Sequence, residues 1–151
     1  MGYTHYWEFK KNPKNIENGA SKFKDAVDLF KKCLAAVPET IDVPDYGKVH
    51  LQLAGSSGTG EPKFTDSILL FNGLDDGEND LSHETCYIAL DDPDGYEFNF
   101  CKTARKPYGV AVCLALLCFA RMFGDDFKYS SDGDDTDFDW KIAKDIVKTF
   151  S

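Results

Sequence analysis

Three cations stand directly before the most apolar stretch of the chain. Lys102, Arg105 and Lys106 precede Pro107, and residues 108–120 are apolar. Proline suits the first position of a helix, where free N–H groups and the positive end of the helix dipole favour an anion. An arginine can hold a phosphate or carboxylate through two parallel hydrogen bonds. The pattern predicts an anion site at this helix start; the alternative is that the cations only neutralise acidic loops of the same chain.

Aromatic and imidazole side chains elsewhere in the chain could complete such a site. Rings can stack on a nucleobase, and histidines can contact its polar edges. No cofactor and no metal is predicted. The predicted ligand-binding residues are Lys102, Arg105, Lys106, Tyr108, His83, His5, Trp7 and Tyr6.

A second group of residues could support hydrolysis. His83 and Glu84 begin a predicted strand, where a general acid or base would be exposed. Asp132 and Asp134 follow another predicted strand, where carboxylates could hold Mg²⁺. The spacing of a calcium-binding loop is absent, because Asp137 stands where that loop requires glycine. A structural histidine and a tight turn are the favoured alternatives.

A glycine-rich loop matches only half of a phosphate-binding motif. Gly55 and Gly60 have the required spacing, but Glu61 and Pro62 occupy the positions of the essential lysine and hydroxyl. The segment is therefore interpreted as a flexible hairpin loop.

Hydrophobic periodicity predicts the elements that must position these residues. Apolar side chains alternate in strands and recur every three or four residues in amphipathic helices. Thr136 and Asp139 resemble a capping box at the start of a last helix. We predict one α+β domain over residues 1–151, with a mostly antiparallel sheet of about five strands and three helices, one of them central and buried. Predicted strands cover 2–10, 49–53, 68–71, 83–90, 96–101 and 127–131, and the first two helices cover about 21–37 and 108–122.

The bulk composition narrows the partners and the compartment. The formal charge of −9 and pI of about 4.7 argue against duplex nucleic acid, which requires Lys and Arg to neutralise phosphates. Five cysteines without a C-x-x-C pair indicate a reducing cytoplasm. The longest apolar run is too short to span a bilayer, so no membrane association is predicted. The oligomeric state is left open.

Several motifs spread along the chain resemble one family. They are residues 1–7 (MGYTHYW), 58–62 (GTGEP), 71–73 (FNG), 83–85 (HET), 100–108 (FCKTARKPY) and 130–133 (SSDG). In these motifs the chain is similar to an uncharacterised family of small proteins encoded by tailed bacteriophages and bacteria. The resemblance implies an accessory protein outside the virion, acting in the cytoplasm of an infected cell, where dealing with host defences or nucleotide pools is a common task.

These observations lead to three functional hypotheses. The leading one is binding of a phosphate-bearing, nucleotide-like small molecule, which would be sequestered to counter host defence. The second is an acidic interaction protein that inhibits a host defence enzyme through its surface charge. The third is a small hydrolase acting on a nucleotide-like substrate. Whether the protein is an enzyme is left open.

Overall fold

The computed structural model describes residues 2–150, which form nine β-strands and three α-helices. The helices are α1 (Gly19–Ala35), α2 (Gly109–Phe123) and α3 (Phe138–Lys148). The strands are β1 (Thr4–Phe9), β2 (Ile41–Val43), β3 (Gly47–Val49), β4 (Leu53–Ala54), β5 (Lys63–Phe64), β6 (Ile68–Gly73), β7 (Cys86–Ala89), β8 (Asn99–Lys102) and β9 (Phe127–Ser131).

The strands form three antiparallel sheets. The first has the order β8-β1-β9, so the N-terminal strand lies between two strands from the second half of the chain. In the second, β6 pairs with β4, β5 and β7. The third is the β2-β3 hairpin. A backbone hydrogen bond from the Glu84 N–H to the Lys102 carbonyl joins the segment before β7 to the edge of β8.

Helix α2 is the centre of the hydrophobic core. Eleven of its fifteen residues are buried, because it packs against α1, α3 and the inner side of the first sheet. The sequence predicts this position correctly, since a helix that is apolar all round has no face suited to water. Helix α3 packs through the buried apolar side chains of Trp140, Ala143, Ile146 and Val147. Among residues 2–150, no helix combines the length and apolarity that crossing a membrane requires.

Two expectations about the fold are wrong in detail. The α+β class and the three helices are as predicted, but the single sheet of about five strands is replaced by nine strands in three sheets. Strands β2, β3, β4 and β5 have only two or three residues each, too few to show an alternating pattern.

The predicted capping box at the last helix is also absent. Thr136 donates its backbone N–H and its hydroxyl to Asp134, and α3 begins at Phe138 with Asp137 as its N-cap residue. The Asp139 carboxylate points into the core instead of back to the N-cap, because it accepts hydrogen bonds from Tyr3 and His5 there.

Candidate functional site

The outer face of the β8-β1-β9 sheet presents alternate side chains to solvent. Tyr6 of β1 lies directly between Phe100 of β8 and Ser130 of β9, so these three residues form one row across the sheet. The pair Thr4 and Lys102 lies on one side of this central row, two residues along β1. The cross-strand pair Glu8 and Lys128 lies two residues along β1 on the other side, so both residues share this face.

Three aromatic rings are contiguous on this outer face. The Tyr6 and Phe98 ring centroids are 6.3 Å apart, and those of Phe98 and Phe100 are 5.7 Å apart. Phe98 is 65% exposed and Phe100 is 45% exposed, although large apolar side chains are normally buried. The Lys102 ammonium lies 5.8 Å from the centre of the Phe100 ring. The face thus combines π surfaces with a cation, which together suit a flat, negatively charged ligand.

A shallow groove of about 460 Å³ lies over the part of this face near Phe98 and Lys128, and its lining does not include Phe100 or Lys102. Its volume is within the usual size range of small-molecule sites. It is lined by Tyr6, Trp7, Glu8, Phe98, Lys128, Tyr129 and Ser130. The Tyr6 hydroxyl donates to Asp132 Oδ1 at 3.5 Å, and the other oxygen of this carboxylate accepts the Thr4 N–H. We name the side chains of Tyr6, Glu8, Phe98, Phe100, Lys102, Lys128 and Ser130 the aromatic face.

The three predicted anion-binding cations point in different directions. Lys102 lies on the aromatic face. The Arg105 guanidinium lies 4.1 Å from the centre of the Tyr3 ring and pairs with Asp137 at 3.2 Å. Lys106 donates to the carbonyl oxygens of Asp80 and Ser82.

A strained turn causes this divergence. Ala104 and Arg105 both have left-handed backbones, with φ of 55° and 59°, a conformation that non-glycine residues adopt rarely and at some energetic cost. The turn reverses the chain between β8 and α2 and separates the directions of the three cations.

Three other predicted ligand-binding residues lie in the core. His5, Trp7 and Tyr108 are at most 3% exposed. The Tyr108 hydroxyl donates to the Glu84 carbonyl at 2.6 Å, and burial, followed by the neighbouring Cys101 thiol, raises the pKa of this phenol. His5 and Tyr108 support the fold from inside and do not reach the aromatic face, whereas Trp7, although buried, contributes to the lining of the groove over it.

The residues of the hydrolase hypothesis lie on opposite edges of the first sheet. His83 is exposed, and Glu84 beside it accepts the Lys102 N–H at the β8 edge. Asp132 follows β9 at the other edge, and the Asp134 carboxylate accepts hydrogen bonds within its own turn. The central strand β1 therefore separates the two groups.

A buried polar network lies on the inner side of the same sheet. His5 Nε2 is 3.0 Å from Asp139 Oδ2, and the Tyr3 hydroxyl donates to Asp139 Oδ1 at 2.9 Å. The Trp140 backbone N–H donates to the same Oδ1. Burial, followed by the charge of Asp139, raises the pKa of the Tyr3 phenol, so Tyr3 remains a donor. One fully buried carboxylate thus joins β1 to α3.

The hydrogen bonds of Ser131 determine which nitrogen of His5 carries the proton. Ser131 Oγ accepts from the Gly133 N–H at 2.9 Å and the Trp140 Nε1–H at 3.1 Å, which occupies both lone pairs. Its own proton therefore goes to His5 Nδ1, 2.7 Å away. The proton of the neutral imidazole is consequently on Nε2, which donates to Asp139.

This network includes a set of potential metal ligands. Within residues 2–150, the group close enough to hold an ion comprises His5 Nε2, Cys113 Sγ and an Asp139 oxygen, all within 4.8 Å of one another. Burial, followed by Asp139, raises the pKa of the Cys113 thiol well above its usual range. A metal on Nε2 would require Nδ1–H to donate to a Ser131 hydroxyl that already has two donors. The hydrogen bonds favour a structural network.

Five residues of the aromatic face are not among the predicted ligand-binding residues, namely Glu8, Phe98, Phe100, Lys128 and Ser130. Phe98 and Phe100 could have been found. Their signal was present, because Phe98, Phe100 and Lys102 alternate along the chain and therefore share one side of a strand. The sequence does not show which side of that strand would remain uncovered.

Comparison of the chain with protein-family models, curated proteins and solved structures gives no match. The function is therefore inferred from the geometry of the chain's own residues.

Proposed function

We propose that this protein binds a phosphate-bearing, nucleotide-like molecule on the aromatic face. The observation that carries the proposal is the contiguous set of rings formed by the half-buried Tyr6 and the exposed Phe98 and Phe100, with Lys102 beside them. A base stacked on such a ring gains about 1–3 kcal/mol. Lys102 at one side of the rings would hold the phosphate, and Glu8 would accept from an amino group on the base edge.

The net charge of the protein means that an anion must be held by local contacts. The protein as a whole carries a formal charge of −9, so long-range attraction does not bring an anion to it. Binding must rely on contacts within the aromatic face. In the setting implied by the family resemblance, such binding would withdraw a nucleotide-like molecule from a host defence system.

The hypothesis of an acidic interaction protein depends on surface carboxylates such as those of Asp76 and Asp80. Asp76 Oδ1 accepts the N–H groups of Glu78 and Asn79, and Asp80 Oδ1 accepts the N–H of Ser82. The N–H groups of Asn79 and Glu78 lower the pKa of Asp76, and the Ser82 hydroxyl, followed by the Ser82 N–H, lowers the pKa of Asp80. The carboxylates thus have a local role in shaping the loop, and inhibition of a host enzyme stays a prediction.

The proposal predicts that a nucleotide stabilises the protein and that the rings are responsible. At about 100 times its dissociation constant a ligand adds about 2.7 kcal/mol, which for a chain of this size raises Tm by about 5–10 °C. Thermal shift should be measured with a panel of mono- and cyclic nucleotides. We expect Tyr6→Ala and Phe100→Ala each to reduce the shift clearly, since each deletes a stacking surface.

Matched controls locate the ligand. Tyr87 is a comparably exposed aromatic residue on β7, outside the aromatic face, so Tyr87→Ala should retain the shift. Arg105→Ala should also retain it. A shift that disappears in Arg105→Ala but persists in Phe100→Ala would instead place the ligand at the start of α2. Absence of a shift with every nucleotide in the wild-type protein would overturn the proposal.

A further inference from the structure

The aromatic face has a cation at each of two diagonally opposite corners. Lys102 pairs with Thr4 on one side of β1, and Lys128 pairs with Glu8 on the other. Their partners Thr4 and Glu8 are four residues apart along β1, and β8 and β9 are two strand spacings apart across the sheet. The Cα atoms of the two lysines are therefore about 17 Å apart. One phosphate group cannot contact both ammonium groups at once while its base remains on the rings between them.

The ring surface between these corners is larger than one base requires. Phe100 and Tyr6 are direct cross-strand neighbours, and Phe98 extends the same surface towards Glu8 and Lys128. Each ring can accept a separate base, because every base has a π face and stacking does not depend on sequence. The face therefore offers several stacking positions along one diagonal, with a phosphate contact at each end.

We infer that the ligand of the aromatic face is a single-stranded oligonucleotide segment of at least two nucleotides, lying diagonally from Lys102 to Lys128. This inference rests on the proposed function and specifies its substrate class. Bases in a duplex are paired and stacked on one another, so they cannot lie flat on Tyr6 and Phe100. The face therefore selects single strands, in agreement with the formal net charge of −9, which disfavours duplex binding.

The charge of the face sets the expected salt dependence. Each phosphate neutralised on a single strand contributes about −0.7 to the slope of log affinity against log salt concentration. With Lys102 and Lys128 as the two phosphate contacts, the slope should be about −1.4. Glu8 and Asp132 lie on or beside the same face, so binding should depend mainly on stacking and remain measurable at high salt.

Competition binding tests the inference. A fluorescein-labelled decathymidylate reports binding by anisotropy, and unlabelled thymidine monophosphate, dithymidylate, tetrathymidylate, oligoadenylate RNA and a decamer duplex compete with it. We expect dithymidylate to compete at least about 10-fold better than the mononucleotide and the duplex to compete poorly. Phe100→Ala should weaken binding by roughly 5-fold or more. An oligoadenylate DNA of the same length as the oligoadenylate RNA, added to this set, shows by comparison which sugar is preferred.

Variants of Lys102 and Lys128 test whether the bound strand lies diagonally between these two residues. Lys102→Gln and Lys128→Gln should each reduce the magnitude of the salt slope by about 0.7. Lys48→Gln is the control, because Lys48 is exposed and pairs with Asp42 in the separate β2-β3 hairpin. If the mononucleotide competes as well as dithymidylate, or if the slope is unchanged in both variants, the inference is wrong while the proposed function stands. If neither nucleotides nor oligonucleotides bind, both are wrong.

Discussion

Replacing Asp139 with alanine is expected to lower the free energy of unfolding by at least about 3 kcal/mol. The carboxylate is fully buried and accepts hydrogen bonds from Tyr3, His5 and the Trp140 N–H. Alanine leaves these three donors without an acceptor in the core, and each unsatisfied group costs about 1–3 kcal/mol. For a chain of this length the loss corresponds to a fall in Tm of roughly 6–12 °C.

Calorimetry or urea titration measures this effect, and α3 provides a matched control. Asp145 is exposed on the same helix, so Asp145→Ala should change stability by no more than about 0.5 kcal/mol. Asp139→Asn should be intermediate, because one amide oxygen remains to accept from Tyr3 while the amide N–H₂ opposes the His5 donor. Equal stability of the Asp139→Ala and Asp145→Ala variants would show that the buried network does not hold α3 to β1.

Replacing Phe119 with alanine is expected to cost about 3–5 kcal/mol. The Phe119 ring lies near the rings of four other phenylalanines, which are Phe9 of β1, Phe23 of α1, Phe123 at the end of α2 and Phe127 at the start of β9. These rings join α1, α2 and the first sheet into one core. Truncation opens a cavity at their meeting point, because neighbours held by other contacts cannot collapse into it.

Phe98→Ala is the control for this substitution and also bears on function. Phe98 has the same side chain but is 65% exposed on the aromatic face. Its removal should change the free energy of unfolding by no more than about 0.5 kcal/mol, as measured in the same urea titration. A loss as large as that of Phe119→Ala would mean that the exposed rings stabilise the fold, and it would remove the reason for assigning them to a ligand.

The parts of the fold that the sequence predicts are those with long local patterns. Helix α2 is recognisable because an apolar run follows Pro107 and Gly124 ends the helix. Strand β1 is recognisable from its alternating aromatic residues. The two-residue strands β4 and β5 exist only because β6 pairs with them. Such strands are specified by tertiary contacts and leave no periodic signal in the sequence.

The sequence predicts only part of the candidate site, because the site also depends on tertiary contacts. Tyr6 and Lys102 are among the residues predicted from the sequence to bind a ligand, but they lie on one face only through the pairing of β1 with β8. The directions of Arg105 and Lys106 depend on a left-handed turn without glycine, which no residue preference indicates. The contact between His5 and Asp139 joins residues 134 positions apart, so spacing along the chain carries no information about it.

The most direct test of the account is to locate the bound nucleotide by NMR. The amide spectrum of the labelled protein should be recorded during titration with the nucleotide that gives the largest thermal shift. We predict that the shifted amides cluster on β1, β8 and β9 around Tyr6, Phe100 and Lys128, while those of residues 103–109 remain in place. Shifts confined to residues 103–109, with the amides of the aromatic face unchanged at saturation, would contradict the proposed site.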